Sequence, residues 1–119
     1  MTIMLEGEVP SLTIFQVGGA GATGMSVPAG YAITGIYLQE TSGNPITGGL
    51  NIGTSTGAAD VVSAFAVPGG SFNAVPAAGI LRLAFSASAA QPLFLSAVTS
   101  WTSALLNIVV RLARGIPMG

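Results

Sequence analysis

Histidine, lysine and cysteine are all absent from this 119-residue sequence, and three arginines and four carboxylates bring its charged fraction to only 6%. A soluble domain ordinarily carries about a quarter charged residues, and mixed surface charge keeps it dispersed. The charged set is Glu6, Glu8, Glu40, Asp60, Arg82, Arg111 and Arg114. With 50% hydrophobic residues and a mean hydropathy of +0.75, the chain has more apolar surface than one small domain can bury. A domain of this size hides about two-thirds of the surface its unfolded form exposes. Something other than charge must cover the remainder, and neighbouring protein subunits are the expected cover.

The same scarcity excludes whole classes of chemistry. No histidine or lysine is present to activate any of the many serines and threonines as nucleophiles, so no catalytic residue is expected. Without cysteine or histidine no metal site and no disulfide is expected, and no cofactor motif survives inspection. A net charge of −1 offers no basic footprint, which argues against nucleic-acid partners. The stretch 83–110 lacks charge and exceeds the roughly 20 residues of a spanning helix, but serine, threonine, glutamine, asparagine and proline interrupt it throughout, so no membrane partner is expected and a small membrane-associated protein is left as a further alternative. At the start, Glu6 and Glu8 follow a short apolar run where a secretory leader would have a basic end and a longer one.

Seventeen glycines and seven prolines cut the chain into short segments crowded with β-branched and aromatic residues. That grammar predicts strands over 2–8, 11–17, 31–40, 48–54, 61–67, 80–85, 93–99 and 105–113. Loops are expected over 18–30, 41–45, 55–60 and 68–78, with at most one short helical turn near 100–104. The predicted fold is all-β, a small antiparallel β-sandwich or jelly-roll-like barrel with Gly/Pro-rich loops and extended termini. Its organisation is an N-terminal arm or edge strand over 1–10, a single β domain over 11–114 and a C-terminal tail over 115–119.

Gly19-Ala20-Gly21-Ala22-Thr23-Gly24 matches the glycine spacing of dinucleotide-binding loops, with Glu40 some twenty residues on. Pro28 and Gly30 break any helix that would have to follow, so this is read as a glycine-rich loop. Glu6 and Glu8 are two apart and would share one face of a strand, either as a solvated edge or facing Arg111 or Arg114 of a neighbouring chain. The candidate intersubunit contacts are therefore Met1, Ile3, Leu5, Glu6, Glu8, Arg111, Arg114, Ile116 and Met118, most of them on the terminal segments. Phe15, Tyr31, Tyr37, Phe65, Phe72, Phe85, Phe94 and Trp101 are read as core or interface filling. Tyr31, Tyr37 and Trp101 are the candidate ligand-facing aromatics of a second reading, a glycan- or receptor-binding module.

The runs Gly30-Tyr31-Ala32-Ile33-Thr34-Gly35-Ile36-Tyr37, Asn44-Pro45-Ile46-Thr47-Gly48-Gly49-Leu50-Asn51-Ile52-Gly53-Thr54, Ala59-Asp60-Val61-Val62 and Ala97-Val98-Thr99-Ser100-Trp101 resemble small β-rich virion proteins of tailed bacteriophages. The likeness spans most of 30–112. It implies a head decoration (cement) protein, a head-fibre base or a tail component. The expectation is a homo-oligomer, in the first instance a trimer, on a virion's capsid surface, with the major capsid protein or other virion proteins as partners.

Overall fold

Along residues 106–112, Leu106, Ile108, Val110 and Leu112 are buried, while Arg111 between them is exposed and Asn107 and Val109 are half-buried. Successive side chains of an extended strand point to opposite faces, so this alternation commits one face to a core. The structure, a computed structural model, describes residues 11–81 and 89–114. Its strands are β1 (Ser11–Val17), β2 (Gly21–Val27), β3 (Tyr31–Glu40), β4 (Ile46–Gly53), β5 (Val62–Val67), β6 (Phe72–Val75), β7 (Gln91–Ala97) and β8 (Leu106–Arg114), with a 3-10 turn at Ala77–Gly79.

The strands form two four-stranded antiparallel sheets, ordered β1-β8-β3-β6 and β2-β7-β4-β5. The pairs β1·β8, β2·β7, β3·β6 and β4·β5 are those of one long doubled-back ribbon. Rolling that ribbon over itself adds β3·β8 and β4·β7. This is the jelly-roll arrangement, and it is the all-β antiparallel sandwich that the sequence grammar predicts. Because every pair is antiparallel, the connections 18–20, 41–45, 68–71 and 98–105 gather at one end of the sandwich. The connections 28–30 and 54–61 gather at the other, together with the described residues 76–81 and 89–90 between β6 and β7.

Inward-facing aliphatics from both sheets fill the space between them. Ile33, Ile36, Leu38, Ile108, Val110 and Leu112 meet Val27, Leu50, Ile52, Val62, Leu93 and Leu95. One irregularity sets the register of everything after it. On β3, Ile33 pairs with Leu112 but Gly35 with Arg111, so Thr34 is an extra residue opposite β8. This bulge resets the alternation, turning Ile36, Leu38 and Glu40 inward together. The only polar side chains in the core besides Glu40 belong to Thr23 among the described residues. The Thr23 hydroxyl donates to the Leu93 carbonyl at 2.9 Å and accepts from Met25 N–H, so its burial leaves nothing unpaired.

Two expected loops contain strands. Residues 18–30 include β2, whose Gly21 and Gly24 take positive φ and whose pairing with β7 is broken between Ala22 and Ser26. Glycine that reads as loop punctuation here serves an irregular edge strand. Residues 68–78 include β6, four residues between the Pro68–Gly70 turn and Pro76. Ile80 and Leu81 are not in a strand, and 82–85 of that expected strand lie outside the described residues, as do 2–8. The turn near 100–104 is not helical: Thr102 and Ser103 both have positive φ, at 48° and 62°, and Ala104 N–H closes onto Trp101 O at 3.0 Å. That is the type I′ geometry, which favours Asn-Gly. Thr102 is held there by its hydroxyl, which donates to the Pro45 carbonyl, whereas the exposed Ser103 hydroxyl makes no such bond among the described residues. Ser103→Gly should raise stability by about 0.5–1 kcal/mol by removing the left-handed penalty, read as a melting temperature a few degrees higher in calorimetry; an unchanged or lower value would show that the turn carries no strain.

Candidate functional site: a buried carboxylate under three loops

The reset alternation of β3 carries a carboxylate into the core end of the sandwich, where Glu40 is only 2% exposed. A buried carboxylate is tolerated only when hydrogen-bond donors replace its lost water. Here five do. Oε2 accepts from Ser42 N–H at 3.0 Å, Ser42 Oγ at 2.5 Å and Leu105 N–H at 2.9 Å. Oε1 accepts from Gly43 N–H at 2.7 Å and Gly70 N–H at 2.8 Å. Burial pushes the Glu40 pKa up, but the bonds from Ser42, Gly70 and Leu105 outweigh it and hold the carboxyl at about 2, against an ordinary 4.5.

The donors come from three separate connections: 41–45 supplies Ser42 and Gly43, 68–71 supplies Gly70, and 98–105 supplies Leu105. Backbone bonds run alongside, with Glu40 N–H on Ser71 O and Thr41 N–H on Leu105 O, both at 2.9 Å. Gly69 lets the loops meet, because a Cβ there would lie 2.2 Å from the Gly43 carbonyl oxygen. The end of β1 ties to the same region, since Gln16 N–H donates to Asn107 Oδ1 at 2.9 Å and Gln16 Nε2 reaches Thr41 Oγ1 at 3.4 Å. With its oxygens saturated by N–H and O–H donors, Glu40 is a clamp and not a free acid or base.

The opposite end has a lesser counterpart. Asp60 accepts from Thr54 N–H at 2.9 Å and from Thr54 Oγ1 at 2.8 Å, closing the 54–61 connection on itself. A shallow apolar groove of about 380 Å³ runs along β4 and β5, lined by residues such as Ile46, Gly48, Gly49, Ala64 and Val67, and carries no ionisable group.

The candidates singled out from sequence are dispersed. Met1, Ile3, Leu5, Glu6, Glu8, Ile116 and Met118 lie outside the described residues. Arg111 is exposed on the outer face of the β1-β8-β3-β6 sheet, and Arg114 ends β8 opposite Tyr31 in the ladder. Tyr31 and Trp101 pack half-buried against the core, at opposite ends of the sandwich, and the Trp101 indole donates to Ala104 O at 2.8 Å. Tyr37 stands apart from both, on the outer face beside Phe72. Gly21–Gly24 of the dinucleotide-like run are part of β2. Glu40 is absent from the sequence-derived site, although Ile36-x-Leu38-x-Glu40 places it in phase with two core residues. No protein-family model, curated protein or solved structure matches this chain.

The unfolded chain takes up the Glu40 proton near 4.5 and the folded chain holds it off until about 2. The carboxylate's stabilisation is therefore complete above about pH 5 and lost as pH falls toward 2, on the order of 2 kcal/mol beneath solvent-facing loops. Urea unfolding as a function of pH should show that slope in the native chain. Glu40→Gln, which turns an amide toward N–H donors, should lower neutral-pH stability by about 2–3 kcal/mol and flatten the acid dependence; a variant as stable as the parent would refute the clamp. Gly69→Ala should cost about 2 kcal/mol and move the acid loss to higher pH, because the loops must part and withdraw the Gly70 donor.

Proposed function

We propose that this chain is a non-enzymatic structural protein of a virion, a homo-oligomer that decorates a capsid surface and stabilises it through repeated contacts with the major capsid protein. The observation that carries this reading is an ion-poor exterior on a jelly-roll body. Of the described charges, Glu40 is buried and Asp60 half-buried against Thr54, while Arg111 is exposed. Leu81 and Val98 are exposed at 60% and 51%. Such a surface is suited to being covered by protein, and many small contacts multiplied over a lattice add up by avidity.

The architecture is compatible with this role, since double-sheet jelly rolls recur in viral capsid and lectin domains. Architecture alone assigns no function, so the weight rests on the surface, with the resemblance of local phrases to phage virion proteins beside it. The terminal arms and Arg111 and Arg114 are the proposed intersubunit contacts. As for a bilayer, no helix among the described residues is long and apolar enough to cross one.

Size-exclusion chromatography with light scattering, without detergent, tests the reading. The expected result is a discrete oligomer, in the first instance a trimer of the 11.8 kDa chain. A monodisperse monomer that stays soluble at high concentration would overturn it.

A further inference from the structure

The outer face of the β1-β8-β3-β6 sheet holds the one aromatic pair among the described residues. Tyr37 and Phe72 lie with ring planes 6° apart and centroids 6.5 Å apart. At that separation parallel rings are displaced sideways, so neither covers the other's face. Phe72 is 66% exposed although it sits in a strand. The Tyr37 ring folds back over Gly35, where a Cβ would meet its Cε2 and Oη at 3.2 Å. Glycine at 35 thus leaves the platform without a side chain standing up beside it.

Amides adjoin the rings on this face. In the ladder Gln39 is opposite Phe72 on one side and Asn107 on the other. Asn107 Nδ2 donates to Gln39 Oε1 at 3.2 Å, which orients the Gln39 amide so that its Nε2 donors point away from that bond. Among the described residues neither Gln39 Nε2 nor Tyr37 Oη has a hydrogen-bond partner. Arg111 is the exposed charge on this face.

We infer that Tyr37 and Phe72, with the Gln39 amide, form a binding platform for a neutral sugar. The face of a pyranose presents polarised C–H groups that suit the negative face of an aromatic ring, and its rim of hydroxyls takes up amide and phenol donors. A neutral ligand fits because Tyr37, Phe72 and Gln39 carry no ionised group, and Arg111, opposite Gly35 in the ladder, adds N–H donors for sugar hydroxyls at the platform's edge. A second copy of this chain fits less well, since closing a dry apolar contact here would bury the Gln39 and Tyr37 donors without partners. Phe72 is exposed and Gln39 beside it likewise, which suits an extended glycan held weakly at each of many copies in an assembly. The site stands whether or not the chain decorates a capsid.

The test is an array of neutral oligosaccharides probed with the full chain, followed by NMR titration with the best-bound oligosaccharide. Expected are shifts concentrated on the Tyr37 and Phe72 rings and the Gln39 amide, with affinity lost by roughly tenfold or more in Phe72→Ala. Leu81→Ala, at an exposed apolar residue elsewhere, should bind like the parent. Gln39→Ala, if folded by its amide spectrum, should also weaken binding. Absence of binding to every neutral glycan, or equal binding by parent and Phe72→Ala, overturns the inference. So does a Phe72→Ala variant whose only change is a smaller oligomer in light scattering, which would assign the face to contacts between copies.

Discussion

The Glu40 carboxylate is the interaction on which this end of the molecule depends. A jelly roll brings four connections to one end, and nothing in strand pairing alone fixes how they sit on each other. Five donors from three of those connections converge on two oxygens of one side chain. Each such bond to a charged acceptor is stronger than a neutral one, and removing the acceptor would leave several N–H groups unpaired at once. In a chain with four carboxylates, using one inside the fold is a large commitment. It makes the exterior poorer still in charge.

The features around Glu40 show why this solution works with these residues. The Thr34 bulge turns Glu40 inward; without that extra residue the alternation from Ile33 would carry it outward. Gly69 permits a backbone approach that any side chain would block, and Gly43 and Gly70, both at positive φ, present their N–H groups from tight turns. On the far side of the sandwich the strain is tolerated differently: Ala64 takes a φ of 52° where β5 is irregular against β4, and its N–H is met by Asn51 Oδ1 at 2.8 Å. Side-chain amides and hydroxyls do the local work that charge does in ordinary domains.

Much of the fold was legible in the sequence. The β-branched and aromatic residues crowding 31–40 and 105–113 and the turn residues between apolar runs were enough for an all-β sandwich and for most strands. The two missed strands were obscured by their own irregularity: β2 contains glycines at positive φ, and β6 is too short to show a period. Pairing order was not legible, because β1 with β8 joins residues 89 to 100 positions apart and β2 with β7 residues 64 to 74 apart, and no local pattern encodes that. Glu40 was legible in principle. Sorting acids by proximity in sequence pointed to Glu6 and Glu8, whereas sorting by phase with Ile36 and Leu38 points to Glu40. The Tyr37–Phe72 pair was hidden because its partners come from strands paired across the doubled-back ribbon and far apart in sequence.

The clamp makes a claim about cooperativity that hydrogen exchange addresses directly. If one carboxylate holds the three connections, the amides of Ser42, Gly43, Gly70 and Leu105 must open together, since losing the acceptor frees all four. Native-state exchange of these four amides should give a common opening free energy in the parent chain, and all four should lose protection together in Glu40→Gln while the amides of β8 stay protected. Four unrelated exchange rates in the parent, each matching its own loop and unchanged in Glu40→Gln, would contradict the account.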